Sequence, residues 1–421
     1  MMLRISSNCL FFIFFCENIN AQSNIPEDPF AQVSSIKPSP YDHDIDLLAY
    51  YQNNQVNNNH LFNPDLVEFN SETQMAIFDW QANAHWKNNL QGKSRVILQS
   101  DKNTVETNTN AKVLEANLTW TSEDYSWQWQ VGRIKTQWSN GFNWSLTNLL
   151  KPYRDRPYID LDDPVQQKGW DMINVRYTKN KWFYQFVIAE FNNETHKNKQ
   201  QYTARVGYQG INDYSLIIHK QPSQDLDFAV SFNRLINDAI TFKMEYSFLH
   251  QREQQTSSLF SGIQKNRWQK YLLGSAFTSE SGSNYRLEYL NTAHGFSKSE
   301  WQIITDNSTQ ANTNISNNQG STEDYNYLSA ALNSLNYGQL RQNYLYFIYT
   351  SALSNNLWQY RQSLQLNIDD NSQLHRLEFL KSWNNHLTSR LQLELFNGCN
   401  NCEYGLNPNE NSIRLVLNWA F

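Results

Sequence analysis

Ser412-Ile413-Arg414-Leu415-Val416-Leu417-Asn418-Trp419-Ala420-Phe421 ends the chain. From Ile413 onward every second residue is large and apolar (Ile413, Leu415, Leu417, Trp419, Phe421), and Arg414, Val416, Asn418 and Ala420 fall between them. That is the two-residue period of a strand with unlike faces. One face suits lipid and the other, with Arg414 and Asn418, suits water.

The same alternation recurs upstream. Ile240, Phe242, Met244, Tyr246 and Phe248 alternate with Thr241, Lys243, Glu245 and Ser247, and Leu226, Phe228, Val230 and Phe232 with Asp227, Ala229, Ser231 and Asn233. Trp358, Tyr360, Leu364, Leu366 and Ile368 face away from Gln359, Arg361, Ser363, Gln365 and Asn367, and Leu391, Leu393 and Leu395 from Arg390, Gln392 and Glu394. From residue 71 to 421 such segments of about ten residues alternate with turn signals, and charges keep to one face, as a barrel wall in lipid requires. A misplaced Arg or Lys near the bilayer midplane costs about 2–4 kcal/mol. A soluble β-sandwich also alternates, but here Trp120, Trp127, Trp129, Trp182, Tyr184, Trp268, Tyr271, Trp358, Tyr360 and Trp419 gather at strand ends, as interfacial girdles do. The final segment resembles the closing strand of bacterial outer-membrane β-barrels. The resemblance implies that Phe421 is read by the barrel-assembly machinery.

Composition agrees. The 421 residues are 14% aromatic, yet the mean hydropathy is -0.68, so apolar residues are plentiful but never concentrated. No segment after the N-terminus reaches ~18 uninterrupted apolar residues, so any membrane crossing is made by strands. A net charge of -6 and a pI near 5.9 exclude the basic footprint of a nucleic-acid binder. Residues 1–21 read as a secretory signal, with Arg4, the apolar core Leu10-Phe11-Phe12-Ile13-Phe14-Phe15, and an exit at Asn20-Ala21. Phe14 and Phe15 are too bulky for a lipobox before Cys16. Residues 22–70 are rich in Pro, Asn and Asp and read as a leader, with Ile45-Asp46-Leu47-Leu48-Ala49-Tyr50-Tyr51 as a possible first strand or pore-lining segment.

Short turns at Lys179-Asn180, Gly210-Ile211-Asn212, Ile236-Asn237, Ser281-Gly282-Ser283, Asn355-Asn356 and Asn384-Asn385 alternate with longer loops, which places the former in the periplasm and the latter outside. On that assignment the last strand and the one at Glu72–Trp86 both run toward the periplasm, giving an odd count. One strand upstream of Glu72 restores parity. The expected fold is therefore all-β, a transmembrane antiparallel up-and-down barrel of about eighteen strands, or sixteen if a weaker segment is loop. The long external segments are 251–265, 293–337 and 138–168, and Tyr327, Ala330, Ala331 and Leu335 predict a short helix over Glu323–Leu335.

Gly132-Arg133-Ile134-Lys135-Thr136-Gln137-Trp138-Ser139-Asn140-Gly141-Phe142-Asn143-Trp144-Ser145-Leu146-Thr147-Asn148-Leu149-Leu150-Lys151-Pro152 leaves a strand for a Trp- and Gly-rich loop, and Gly169-Trp170-Asp171 returns to one. With Gly338-Gln339-Leu340-Arg341-Gln342-Asn343-Tyr344-Leu345 and Asn367-Ile368-Asp369-Asp370, this run resembles porin-like outer-membrane barrels, including alginate-export-type and related ones. The resemblance implies a barrel more than a substrate. Folded inward, the Arg133–Asp171 loop would narrow a pore, with Arg133, Lys135, Arg154, Arg156, Asp160, Asp162 and Asp163 as a selector. Alternatively, Arg133, Arg154 and Arg156 pair with Asp155, Asp160, Asp162 and Asp163 to hold an external loop. The other lumen charges expected to line the passage are Arg205, Lys243, Glu245, Arg286, Glu288, Arg361, Arg390, Glu394 and Arg414.

The Asp160-Leu161-Asp162-Asp163 run lacks EF-hand spacing and glycine, so no metal is expected. Cys399 and Cys402 have no second Cys or His pair, and in an exported chain they are expected to form a loop disulfide. No histidine shares spacing with a nucleophile, and His294-Gly295-Phe296-Ser297 lacks a strand-borne geometry, so neither an enzyme nor a cofactor is expected. The sequence reading is an outer-membrane channel for passive diffusion of small hydrophilic solutes, oligosaccharides among them, surrounded by outer-membrane lipid and lipopolysaccharide. The alternatives are a plugged barrel that displays its loops to surface glycan or a partner, and a polysaccharide exporter.

Overall fold

The computed structural model describes residues 41–86, 89–103, 107–150, 153–154, 167–191, 199–222, 225–249, 268–293, 295–335 and 339–421. The expected signal segment and the start of the leader lie outside them. Eighteen strands form one antiparallel sheet. In chain order they are β1 (Tyr41–Val56), β2 (Glu72–Trp86), β3 (Leu90–Asn103), β4 (Thr107–Thr121), β5 (Trp127–Ile134), β6 (Trp170–Lys179), β7 (Trp182–Phe191), β8 (Lys199–Tyr208) and β9 (Asn212–Lys220), followed by β10 (Leu226–Asn237), β11 (Ile240–Leu249), β12 (Trp268–Thr278), β13 (Asn284–Thr292), β14 (Asn343–Thr350), β15 (Trp358–Asn367), β16 (Gln373–Ser382), β17 (Leu387–Asn397) and β18 (Asn409–Ala420). Each pairs with its sequence neighbours and β1 pairs with β18, so the sheet closes and leaves no edge.

The strand needed for parity is β1. Leu47 lies opposite Trp419 and Gln52 opposite Arg414, which continues the apolar-out, polar-in alternation across the seam. Sixteen strands is therefore excluded. The Phe421 N–H donates to the Ile45 carbonyl (2.9 Å), tying the chain end to the same seam.

Connections at one end of the barrel are short, including 180–181, 209–211, 238–239 and 383–386; at the other they include 57–71, 135–169, 293–342 and 398–408. Asn180 takes a left-handed φ of 55°, the conformation a two-residue hairpin turn demands. The outer wall is apolar: Ile413, Leu415, Leu417 and Trp419 are each 43–52% exposed on a free barrel, and the other strands present Phe186, Leu216, Val230, Met244 and Leu273 in the same way. A belt of rings encircles the short-turn end. Trp182, Tyr208, Tyr214, Phe232 and Phe242 touch in sequence at centroid distances of 5.3, 6.4, 5.2 and 6.3 Å, and Phe277, Tyr285, Tyr349, Tyr360 and Phe379 at 6.0, 5.0, 6.1 and 5.3 Å. Such amphipathic rings belong at a membrane–water boundary.

The long-loop end carries a packed cap. Helices α1 (Lys298–Ser316) and α2 (Thr322–Ser334) lie in the connection between β13 and β14. The second matches the helix expected at Glu323–Leu335, and the first was not anticipated. Its start was legible: Ser297 and Glu300 form a capping box, each accepting from the other's backbone N–H. Phe62, Phe296, Trp301, Ile304, Tyr327, Leu340 and Leu406 bury one another, joining the helices to the 57–71 and 398–408 connections. Cys399 and Cys402 are bonded within the latter.

Candidate functional site: a loop held inside the barrel

After β5 the chain turns into the barrel, and the wall receives it with two carboxylates. Glu245 of β11 accepts from Ser139 Oγ (2.8 Å) and from the backbone N–H groups of Asn140 (2.6 Å), Leu146 (3.0 Å) and Thr147 (3.2 Å). Glu288 of β13 accepts from the N–H groups of Phe142 and Asn143. Loop backbone donors, which have no ladder partner, are thus satisfied by charged acceptors in a site shielded from water, where such bonds are strong. Lys243 donates to the Asn140 carbonyl and stands 3.0 Å from the centroid of the Phe142 ring, with the Arg286 guanidinium 5.1 Å away on the same ring.

Two glycines make room for this arrangement. A side chain at Gly141 would place Cβ 1.7 Å from the Trp144 carbonyl oxygen, so the tip turn admits none. Gly274 lies in register between Lys243 and Glu288, and a Cβ there would stand 2.9 Å from Lys243 Cγ and 3.3 Å from Glu288 Cγ. Its absence leaves room for the stems of both side chains as they reach the loop tip.

Apolar contacts fix the two flanks. Trp138, Leu149 and Leu150 pack on Val187, Ala189, Ile217, Ala229 and Leu249 of the inner wall. Trp144 and Leu146 pack on Leu272, Leu290, Tyr344, Tyr346 and Ile348. Inner-face positions that a water-filled barrel would make polar are apolar here because the loop covers them. Each large side chain so buried contributes about 1.5–3 kcal/mol.

The remaining inner wall carries one apolar cluster, Met75, Ile77, Ile97 and Leu114, and beside it charges that are mostly paired across neighbouring strands. Asp79 and Arg95 form a buried pair (Nε to Oδ1 3.0 Å), Lys93 pairs with Glu115 (2.7 Å), Arg361 with Glu378 (3.3 Å) and Arg376 with Glu394 (2.7 Å). Asp42, Asp44 and Asp46 add acids to the β1 wall. On β6 and β8 Arg176 and Arg205 stack on Phe183 at 4.5 and 4.8 Å, and Arg205 also faces Trp138 at 5.7 Å. Among the described residues no ion pair joins Arg176, Arg205, Arg286 or Arg414 to a carboxylate.

Of the residues singled out from the sequence, Arg205, Lys243, Glu245, Arg286, Glu288, Arg361, Arg390, Glu394 and Arg414 share the inward parity of their strands. Lys243, Glu245, Arg286 and Glu288 meet around the loop tip. Arg133 does not belong with them. It occupies the outer face opposite Asp171, whose carboxylate its guanidinium meets at 2.6 Å, because its parity is that of the exposed Val131 and not of the buried Ile134. Lys135 is half-buried where the loop begins. Arg154 lies in a two-residue strand paired with Gln167–Lys168, and its side chain, like Arg156, Asp160, Asp162 and Asp163, lies outside the described residues. Sequence reasoning missed Asp79, Arg95, Arg176 and Glu378, which two-residue parity alone would have supplied, and Gly274, which it would not.

A closed barrel with an apolar outer band, a girdle and a polar interior narrowed by an inward loop defines the porin-like class of outer-membrane barrel. No family model and no curated protein matches the chain. Solved structures do. Acinetobacter baumannii OccAB4 matches with a TM-score of 0.54 at 8% identity, covering 91% of this chain and 98% of that one. Pseudomonas aeruginosa OccK5 (OpdH) gives 0.53 at 7% identity, covering 90% and 98%, and P. aeruginosa OpdL 0.53 at 9%, covering 90% and 98%. At such identities the likeness is one of fold.

Proposed function

We propose that the protein is a non-enzymatic outer-membrane channel through which small hydrophilic solutes, oligosaccharides included, diffuse passively. The observation that carries this reading is the loop 138–148, bonded to Glu245 and Glu288 inside the barrel, where it narrows a passage without belonging to the wall. Asp42, Asp44 and Asp46 on β1, with the Arg176 and Arg205 guanidiniums on β6 and β8 outside any ion pair among the described residues, support a field in that passage that orients dipolar solutes. The half-buried Phe142 at the loop tip supports an apolar contact for the C–H face of a sugar ring. Lipid and lipopolysaccharide would surround the wall, and the seam-bound Phe421 suits recognition by the barrel-assembly machinery.

Two further readings have support. The packed cap of α1 and α2 favours display of the external loops to surface glycan or a partner. The Trp- and Asn-rich loop favours kinship with alginate-export-type barrels, and with it polysaccharide export. Planar-bilayer recording of the refolded protein separates them. Diffusion predicts discrete current steps, and replacing Arg176 and Arg205 together by Ala shifts the reversal potential toward cations. A pure protein without steps would favour display.

A further inference from the structure

The loop tip stands on a single line of the wall. Lys243, Gly274, Glu288, Tyr346 and Gln365 lie in register across β11 to β15, one residue per strand, on the inner side. Lys243 and Glu288 hold the backbone of the tip, Tyr346 packs on Trp144 at 5.9 Å, and Gly274 leaves them room. Gln365 closes the line with a contact of another kind: its Oε1 accepts from Asn143 Nδ2 at 3.2 Å, a bond between two neutral side chains. Among the described residues, loop 138–148 makes no hydrogen bond to a strand beyond β15.

The contacts along this line differ in strength and in access to water. Glu245 and Glu288 are fully buried and accept charge-assisted bonds from the loop backbone, so they keep the tip in place. Asn143 and Gln365 are only half-buried, and a neutral amide–amide bond beside water adds little net stability. It can open without releasing the loop.

Each amide also keeps one group for the lumen. Among the described residues Asn143 Oδ1 and Gln365 Nε2 have no hydrogen bond, and neither is enclosed by protein. The first accepts and the second donates. Exchanging O and N in both amides leaves the same result, one free acceptor and one free donor side by side. That pair complements a hydroxyl group, which donates and accepts through one oxygen, whereas a carboxylate only accepts and an ammonium only donates. Phe142, next to Asn143 and half-buried, adds an apolar surface for C–H groups.

We propose that Asn143 and Gln365 form a binding subsite in the constriction for uncharged, hydroxyl-bearing solutes, in which a saccharide hydroxyl bridges the free carbonyl of one amide and the free N–H of the other. This rests on the channel reading above and assigns its solute contact. Both amides are neutral, so the subsite discriminates by hydrogen-bond pattern and not by charge. A second hydroxyl replaces the Asn143–Gln365 bond itself, and the solute passes by exchange of hydrogen bonds while the carboxylates keep the loop backbone fixed.

Blockade of single-channel current by raffinose, a neutral trisaccharide, tests this on the refolded wild type and on Gln365→Leu, Asn143→Leu and the double variant Asn143→Gln, Gln365→Asn. The wild type should show transient blockades whose frequency rises with raffinose concentration. Each leucine variant removes one or two hydrogen bonds to the solute and should shorten the blockade about tenfold. The double variant exchanges the two amides at the same combined length and should restore the wild-type dwell time to within about twofold. An unchanged dwell time in either leucine variant, or a double variant that stays short, would overturn the proposal. So would a wild type that conducts but is never blocked, and that result would leave the channel intact. An absence of current steps from the wild type would overturn the channel reading along with it.

Discussion

Glu245 illustrates how a residue can be read correctly for place and wrongly for work. Its strand parity marks it as inward, and from the sequence it is a free lumen charge. In the fold it is saturated by donors 98 to 106 residues away along the chain, three of them backbone N–H groups that no side-chain pattern encodes. Truncating it would orphan several donors at once, at about 1–3 kcal/mol each. Glu245→Ala should therefore release the loop: single-channel conductance rises and flicker increases, while the barrel still migrates as a folded, heat-modifiable species on gels. Unchanged conductance would mean that the loop is held by its apolar flanks alone. Arg133 errs in the opposite direction. It was placed in the passage because of the loop it precedes, although counting from Val131 puts it on the outer face.

Among the elements, strands were legible and connections were not. A strand declares itself because lipid and water impose opposite demands on adjacent residues, so β10, β11, β15, β17 and β18 could be written down from alternation. The strand β1 was harder, since Pro and Asn surround it, and it was recovered through parity, with Ile45 to Tyr51 as its core. Helix α1 escaped notice because Asn, Gln and Thr dilute its apolar stripe to Trp301, Ile304 and Ala311; only the Ser297–Glu300 box announced it. The disulfide between Cys399 and Cys402 spans a tight turn, so its chain-entropy contribution is modest, but it shapes the backbone that carries Leu406 into the cap. Replacing both cysteines by serine should leave barrel assembly intact and increase protease sensitivity at 398–408. Equal cleavage of reduced, oxidised and substituted protein would show that the Leu406 contacts suffice to hold the turn.

At the scale of the whole molecule, one alternation does three jobs. It closes the sheet, it presents a continuous apolar band with its ring of aromatics to the bilayer, and it leaves an interior that must be filled with water or with loop. The loop 135–150 fills part of it, and the apolar inner positions Val187, Ile217 and Ala229 record where. Those positions break the polar-in pattern and are the sequence's own trace of the constriction, unreadable until the fold shows what covers them.

The central claim, that successive residues of a wall strand meet water and lipid in turn, is tested most directly on β18. Single cysteines are introduced as Arg414→Cys and Leu415→Cys, and a charged, water-soluble thiol reagent is added to the barrel in a bilayer while current is recorded. Position 414 should react and reduce the current; position 415 should remain unmodified. Equal labelling at both positions, or the reverse pattern, would contradict it.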